Sequence, residues 1–276
     1  MKTRRELMLE EMELTPTWRL RAPVAAAVET DVPAGDVRLH AETAASQSAS
    51  RSISQPVPPR AVPQAPPLAA ADDRRSVIMR MDWPALRASV ASCTACQLHA
   101  RRNKTVFGVG DEHADWLLVG EGPGADEDAQ GEPFVGQAGK LLDSMLAAIG
   151  AKRGNNVYIA NVVKCRPPGN RNPEPAEALA CEPYLHRQIG LIKPKLIVAL
   201  GKVAAVNLLA REASVASMRG KIHEYRGIPL IVTYHPAYLL RNLPDKAKAW
   251  IDLCFAVETM RGLQDDRSAA NKEIAT

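Results

Sequence analysis

The residues of this chain best suited to chemistry are four cysteines and two short loops. Cys93 and Cys96 form a C-x-x-C in ASCTACQLHARR, and Cys165 and Cys181 flank the fifteen residues RPPGNRNPEPAEALA. Four thiolates in two loose pairs satisfy a tetrahedral zinc ion or the irons of a cubane cluster, and spacing alone does not choose between them. The plainer alternative is a chance C-x-x-C beside two core cysteines. Against it, Cys165 sits among Lys164, Arg166 and prolines rather than in an apolar run. Cys254, between Leu253 and Phe255, reads as core.

The first loop, GEGPGADEDAQGEPFVG, is rich in glycine and acid. It makes a poor phosphate cradle, because it lacks Gly-Lys-Ser/Thr and the G-x-G-x-x-G spacing, and its acids repel phosphate. Its glycines let backbone N–H groups approach a ligand closely, while Glu121 and Glu127 offer carboxylates for activating water or facing a developing cation. Phe134, in a polar setting, either stacks on a flat ligand or anchors the loop. The second loop, HPAYLLR, presents His235, Leu239, Leu240 and Arg241. Leucines at a loop tip wedge into a base stack while an arginine meets phosphate. A histidine after a strand is also often a hydrogen-bonded structural residue.

Apolar runs at 115–121, 156–163, 195–201 and 227–235 read as buried strands. Between them GQAGKLLDSMLAAIG, PAEALACEPYLHRQIGLI and KVAAVNLLA carry helical spacing, and DKAKAWIDLCFAVETMRGL closes the series. Alternating strands and helices predict a three-layer α/β/α sandwich with a mostly parallel central sheet. Sites in such folds lie at the carboxyl ends of the strands, and here those ends read GEGPGADED, NVVKC, GK and HPAYLLR.

The 276 residues do not read as one folded unit, since no aromatic residue stands between Trp18 and Trp83. That stretch is a Pro, Ala and Ser mixture that buries too little apolar area to offset its chain entropy. The expected organisation is a short amphipathic segment at 1–22, a disordered linker at 23–82, a catalytic domain at 83–264 and a disordered tail at 265–276. The N-terminal segment, with Met8 and Met12 then Leu14 and Trp18 four apart, is expected to dock to a protein partner or to fold back on the domain.

The net charge of +4 conceals an asymmetry. Residues 111–143 hold nine acids against Lys140, whereas residues 150–248 hold sixteen Lys and Arg against six acids. Such a division suits a polyanion held on one surface and carboxylate chemistry on another, or simply two solvated faces. No apolar run is long enough for a membrane span, and the start of the chain lacks a signal-peptide core, so a cytoplasmic protein with reduced cysteines is expected.

Together, GEGPGADEDAQGEPFVG, NVVKCRPPGNRNP, HPAYLLR and the four cysteines resemble the family 4 uracil-DNA glycosylases, the thermostable-type enzymes with an iron-sulfur cluster. The likeness covers roughly residues 85–260. It implies a [4Fe-4S] cluster on Cys93, Cys96, Cys165 and Cys181, making zinc secondary. It also implies Glu121, Gly122 and Glu127 at the active site, Phe134 stacking on a flipped uracil, Asn161 reading the base and His235 beside a uracil carbonyl. A related subgroup traps the sugar on a histidine in the loop after NVVK, but here that loop reads CRPPGNRNP, which implies turnover by hydrolysis.

The expected function is therefore excision of uracil from double- or single-stranded DNA by a monomer working at the nucleoid, leaving an abasic site for base-excision repair. A non-catalytic iron-sulfur DNA-binding or redox-sensing module is the first rival reading. A metal-dependent hydrolase built on the acidic loop is the second.

Overall fold

The computed structural model describes residues 68–274, with side chains from 73 to 265. The segment 1–22 and the linker as far as residue 67 lie outside the described residues. Helices α1 (Leu68–Ile78) and α2 (Trp83–Ala91) lead into β1 (Val109–Gly110) and β2 (Trp116–Gly120). Then come α3 (Ala125–Gln130), α4 (Gln137–Ala148), β3 (Val157–Asn161), α5 (Pro175–Ile192), β4 (Leu196–Leu200) and α6 (Lys202–Leu209). The chain ends with α7 (Val215–Met218), β5 (His223–Tyr225), β6 (Ile228–Thr233), α8 (Pro236–Arg241) and α9 (Lys246–Ile274).

The six strands run in the order β1-β3-β2-β4-β6-β5. The central four are parallel, and the two short edge strands pair antiparallel. Every residue of β3 and β4 is buried, so these strands read as continuous apolar runs rather than alternating ones. Alternate side chains nevertheless serve opposite faces. Leu117, Val119, Tyr158 and Ala160 join the core under α1, α2, α5 and α6, while Leu118, Val157 and Ile159 join the core under α4 and α9. The result is the expected three-layer α/β/α sandwich.

Two boundaries differ from the sequence reading. Residues 68–82, read as the end of the linker, instead contain α1 and the cap of α2. Ile78 is buried in the core, Arg187 Nε donates to the Met81 carbonyl, and the Asp82 carboxylate accepts from the Ala85 N–H. The Ala-rich α1 has no apolar stripe, and its polar anchors lie far along the chain on α5, which explains why composition concealed it. At the other end α9 keeps its backbone helical to Ile274, through most of the span expected as a tail. Replacing Ile78 by Ala in the full chain is expected to lower unfolding stability by about 2–5 kcal/mol. The measurement is an earlier urea midpoint with an unchanged slope.

Candidate active site

The carboxyl ends of β2, β3, β4 and β6 meet at one place. Asn161 is the last residue of β3, Glu121 follows β2, and His235 stands two residues beyond β6. Glycine makes this convergence possible at two strand ends. A Cβ on Gly120 would lie 2.5 Å from Asn161 Oδ1 and 2.6 Å from Phe134 Cζ, and one on Gly201 would lie 2.9 Å from His235 Cβ. Gly201 also takes φ of 90°, a region that side chains disfavour. Gly122 is pressed similarly, with a Cβ there meeting Val163 at 2.7 Å. Neither Gly120 nor Gly201 is a candidate site residue by sequence, although they belong to the strand ends GEGPGADED and GK.

Asn161 is 2% exposed, and its Oδ1 is buried with no hydrogen-bond partner. A buried acceptor left unsatisfied is unfavourable by about 1–3 kcal/mol, so this atom points to a ligand N–H. Phe134 and His235 stack beside it, with ring centroids 5.4 Å apart and planes at 29°. The imidazole accepts the Ala237 N–H at Nδ1, 3.1 Å, which caps α8 and places the neutral ring's proton on Nε2. Burial, with Arg241 nearby, depresses the His235 pKa to about 4, so the ring is neutral at physiological pH.

The two carboxylates have different surroundings. Glu121 makes no side-chain hydrogen bond among the described residues, and burial raises its pKa. Glu127, by contrast, has both oxygens occupied by backbone: Oε2 accepts from Gly124 N at 3.0 Å, and Oε1 accepts from Val135 N at 2.9 Å and Gly136 N at 3.1 Å. Glu127 therefore holds the Phe134 loop from one side. Arg153, invisible as a site residue in the sequence, holds it from the other, donating to the Pro133 and Phe134 carbonyls at 2.8 Å each. Phe134 itself sits at φ of 55°, and a Cβ on Gly139 would strike its carbonyl oxygen at 1.8 Å.

In the HPAYLLR loop the structure corrects one assignment. Leu239 is 1% exposed and packs with Leu141, Met145, Ala249 and Leu253, so it is core and not a wedge. Leu240 and Arg241 are exposed, and so is Leu243, 56% exposed and three positions on from Leu240.

On the opposite face of the sheet, Cys93, Cys96, Cys165 and Cys181 line a single chamber with Arg102, Lys164 and Tyr184. Arg102 donates to Cys165 Sγ at 3.1 Å, and the Lys164 N–H donates to Cys181 Sγ at 3.3 Å. Burial pushes the Cys181 thiol up to about 12. Among the described residues no three His, Cys, Asp or Glu side chains stand close enough together to hold a single metal ion. Cys254 is half-buried on α9, away from the chamber.

A family model described as the uracil DNA glycosylase superfamily matches residues 107–256. The chain belongs to that superfamily. More narrowly, it is 48% identical over 159 residues to a type-4 uracil-DNA glycosylase of Archaeoglobus fulgidus, covering 55% of this chain and 79% of that protein. The type-4 enzyme of Thermotoga maritima is 48% identical over 155 residues, covering 55% and 80%. That of Pyrobaculum aerophilum is 44% identical over 170 residues, covering 59% and 86%. The chain is thus a member of the type-4 group.

Because the folded state disfavours protonated His235, the unfolded chain binds more protons between pH about 6.5 and about 4. Stability linked to His235 is then whole above the upper value and lost as pH falls through the lower. His235→Gln is expected to flatten this decline, seen in urea midpoints measured across that window.

Proposed function

We propose that the chain flips uracil out of DNA and hydrolyses its N-glycosidic bond, leaving an abasic site. The observation that carries this reading is the buried, unpartnered Oδ1 of Asn161 beside Phe134 and His235. Uracil offers N3–H to that oxygen and its O4 to the same amide's Nδ2, with Phe134 against the base. Cytosine sets an acceptor at N3 and an amino group at C4 against the same atoms, leaving buried groups unpaired.

Bond cleavage puts negative charge on the departing base and positive charge on the sugar. His235 donates from Nε2–H to uracil O2 as charge gathers there, without first having to lose a proton, and the N–H groups around Gly122 assist. Glu121 has a free carboxylate at the strand end, and it stabilises the sugar cation or orients the attacking water. Glu127 serves by positioning Phe134, since its oxygens are already engaged. Leu240 occupies the vacated place in the stack and Arg241 meets a phosphate. The absence of histidine from CRPPGNRNP suits turnover by water.

Cys93, Cys96, Cys165 and Cys181 are proposed to hold a [4Fe-4S] cluster. Four thiols facing one chamber suit such a cluster, and the N–H donors on two sulfurs suit thiolates. When bound, the cluster ties α5 to the loops after α2 and β3. The acidic-loop hydrolase is disfavoured because Glu127 is engaged by backbone and Asp128 by Asn103. We further propose that the chain acts as a cytoplasmic monomer on double- or single-stranded DNA at the nucleoid. Among the described residues no helix is long and apolar enough to cross a membrane.

The test is alkali cleavage of an oligonucleotide carrying one uracil after incubation with the purified chain in chelator. Cleavage at the uracil is expected, and an intact strand would sink the reading. Asn161→Asp is expected to lower uracil excision and raise the relative rate on cytosine. Leu240→Ala is expected to impair a U·A substrate more than U·G or single-stranded uracil, whereas Leu239→Ala should lower stability instead.

A further inference from the structure

Helix α1 precedes the family-matched residues, yet its contacts are not spread over the surface. They gather on the outer wall of the cysteine chamber. Arg74 Nη1 donates to the Ala180 carbonyl, immediately before Cys181, at 2.9 Å. Its Nη2 reaches Cys93 Sγ at 3.8 Å. The guanidinium lies over the Tyr184 ring, 5.0 Å from its centroid, and Tyr184 itself lines the chamber. Neighbouring Arg75 binds Glu182 and His186 on the same stretch of α5, and Ile78 seals the helix to the core.

We propose that α1 is a lid of the cysteine chamber and that Arg74 is a donor to the Cys93 sulfur, holding the cluster and setting its potential. The proposal rests on the cluster reading given above. A guanidinium stays charged at any physiological pH and presents a rigid fork of donors. Here one arm of the fork meets a ligand sulfur and the other a carbonyl beside a second ligand, so a single side chain fixes the spacing of two segments. Hydrogen bonds to ligand sulfur and exclusion of solvent are the means by which a protein tunes such a cluster. Arg102 supplies the equivalent donor to Cys165 from the far wall.

The experiment compares the anaerobically purified full-length chain with Arg74→Gln, Arg74→Lys and Arg75→Ala. Iron per chain, the rate at which visible absorbance fades in air, and the midpoint potential are measured, with thermal melts to confirm folding. Arg74→Gln is expected to fade several-fold faster and to show a lower potential, because a positive donor to a thiolate favours the reduced state. Arg74→Lys should fall between, and Arg75→Ala should match the native chain. Native fading and potential in Arg74→Gln would overturn the proposal. So would equal losses in Arg75→Ala, which would reduce Arg74 to docking the helix. A native chain free of iron would instead fail the cluster reading itself, a result separable from the other two.

Discussion

One buried ammonium joins the two halves of this molecule. Lys164 is 2% exposed, and its Nζ donates to the Asn161 carbonyl at 2.9 Å and to Gln188 Oε1 at 2.7 Å. Burying such a charge is unfavourable unless partners surround it, and burial accordingly lowers its pKa to about 8 while Cys181 and Cys165 oppose the shift. The same residue's N–H meets Cys181 Sγ, and its carbonyl accepts from Val106 N at 2.8 Å. Gln188 in turn donates to the Phe107 carbonyl at 2.9 Å. The cysteine chamber, the end of β3 and helix α5 are therefore fastened at one point. The end of β3 that carries Asn161 is thereby tied to a chamber that lies across the sheet.

The Phe134 loop shows the same economy of positioning. A non-glycine residue held at positive φ carries strain of about 1–3 kcal/mol and persists only where its surroundings over-determine it. Glu127, Arg153 and Gly139 provide three independent restraints on that short segment. The Phe134 ring is thereby ordered in advance, which removes an entropic penalty from binding any planar group against it.

Much of this was legible in the sequence because the central strands are apolar on both faces and their ends carry unusual residue clusters. Asn161, Phe134 and His235 lie together at the carboxyl ends of the strands, with Glu121 directly after β2. What stayed hidden depends on three-dimensional phase or on distant partners. Leu239 and Leu240 are indistinguishable in HPAYLLR, and only the packing of α8 turns one into the core and leaves the other outside. Glu127 looks like a free acid until the loop folds back to offer its N–H groups. A lysine such as Lys164 ordinarily signals surface, and β1 and β5 are too short, at two and three residues, to show a pattern.

His235 caps the first turn of α8, and Leu240 and Arg241 occupy its last. A single short helix joins the imidazole to Leu240, so any tilt of α8 carries the two side chains together. On the proposed reading the helix is a lever, with one arm for the duplex and the other for the pocket. A base pair that yields would seat both arms. One that resists would leave Nε2 short of its target, and the mechanical stiffness of the duplex would then become part of the proposed discrimination.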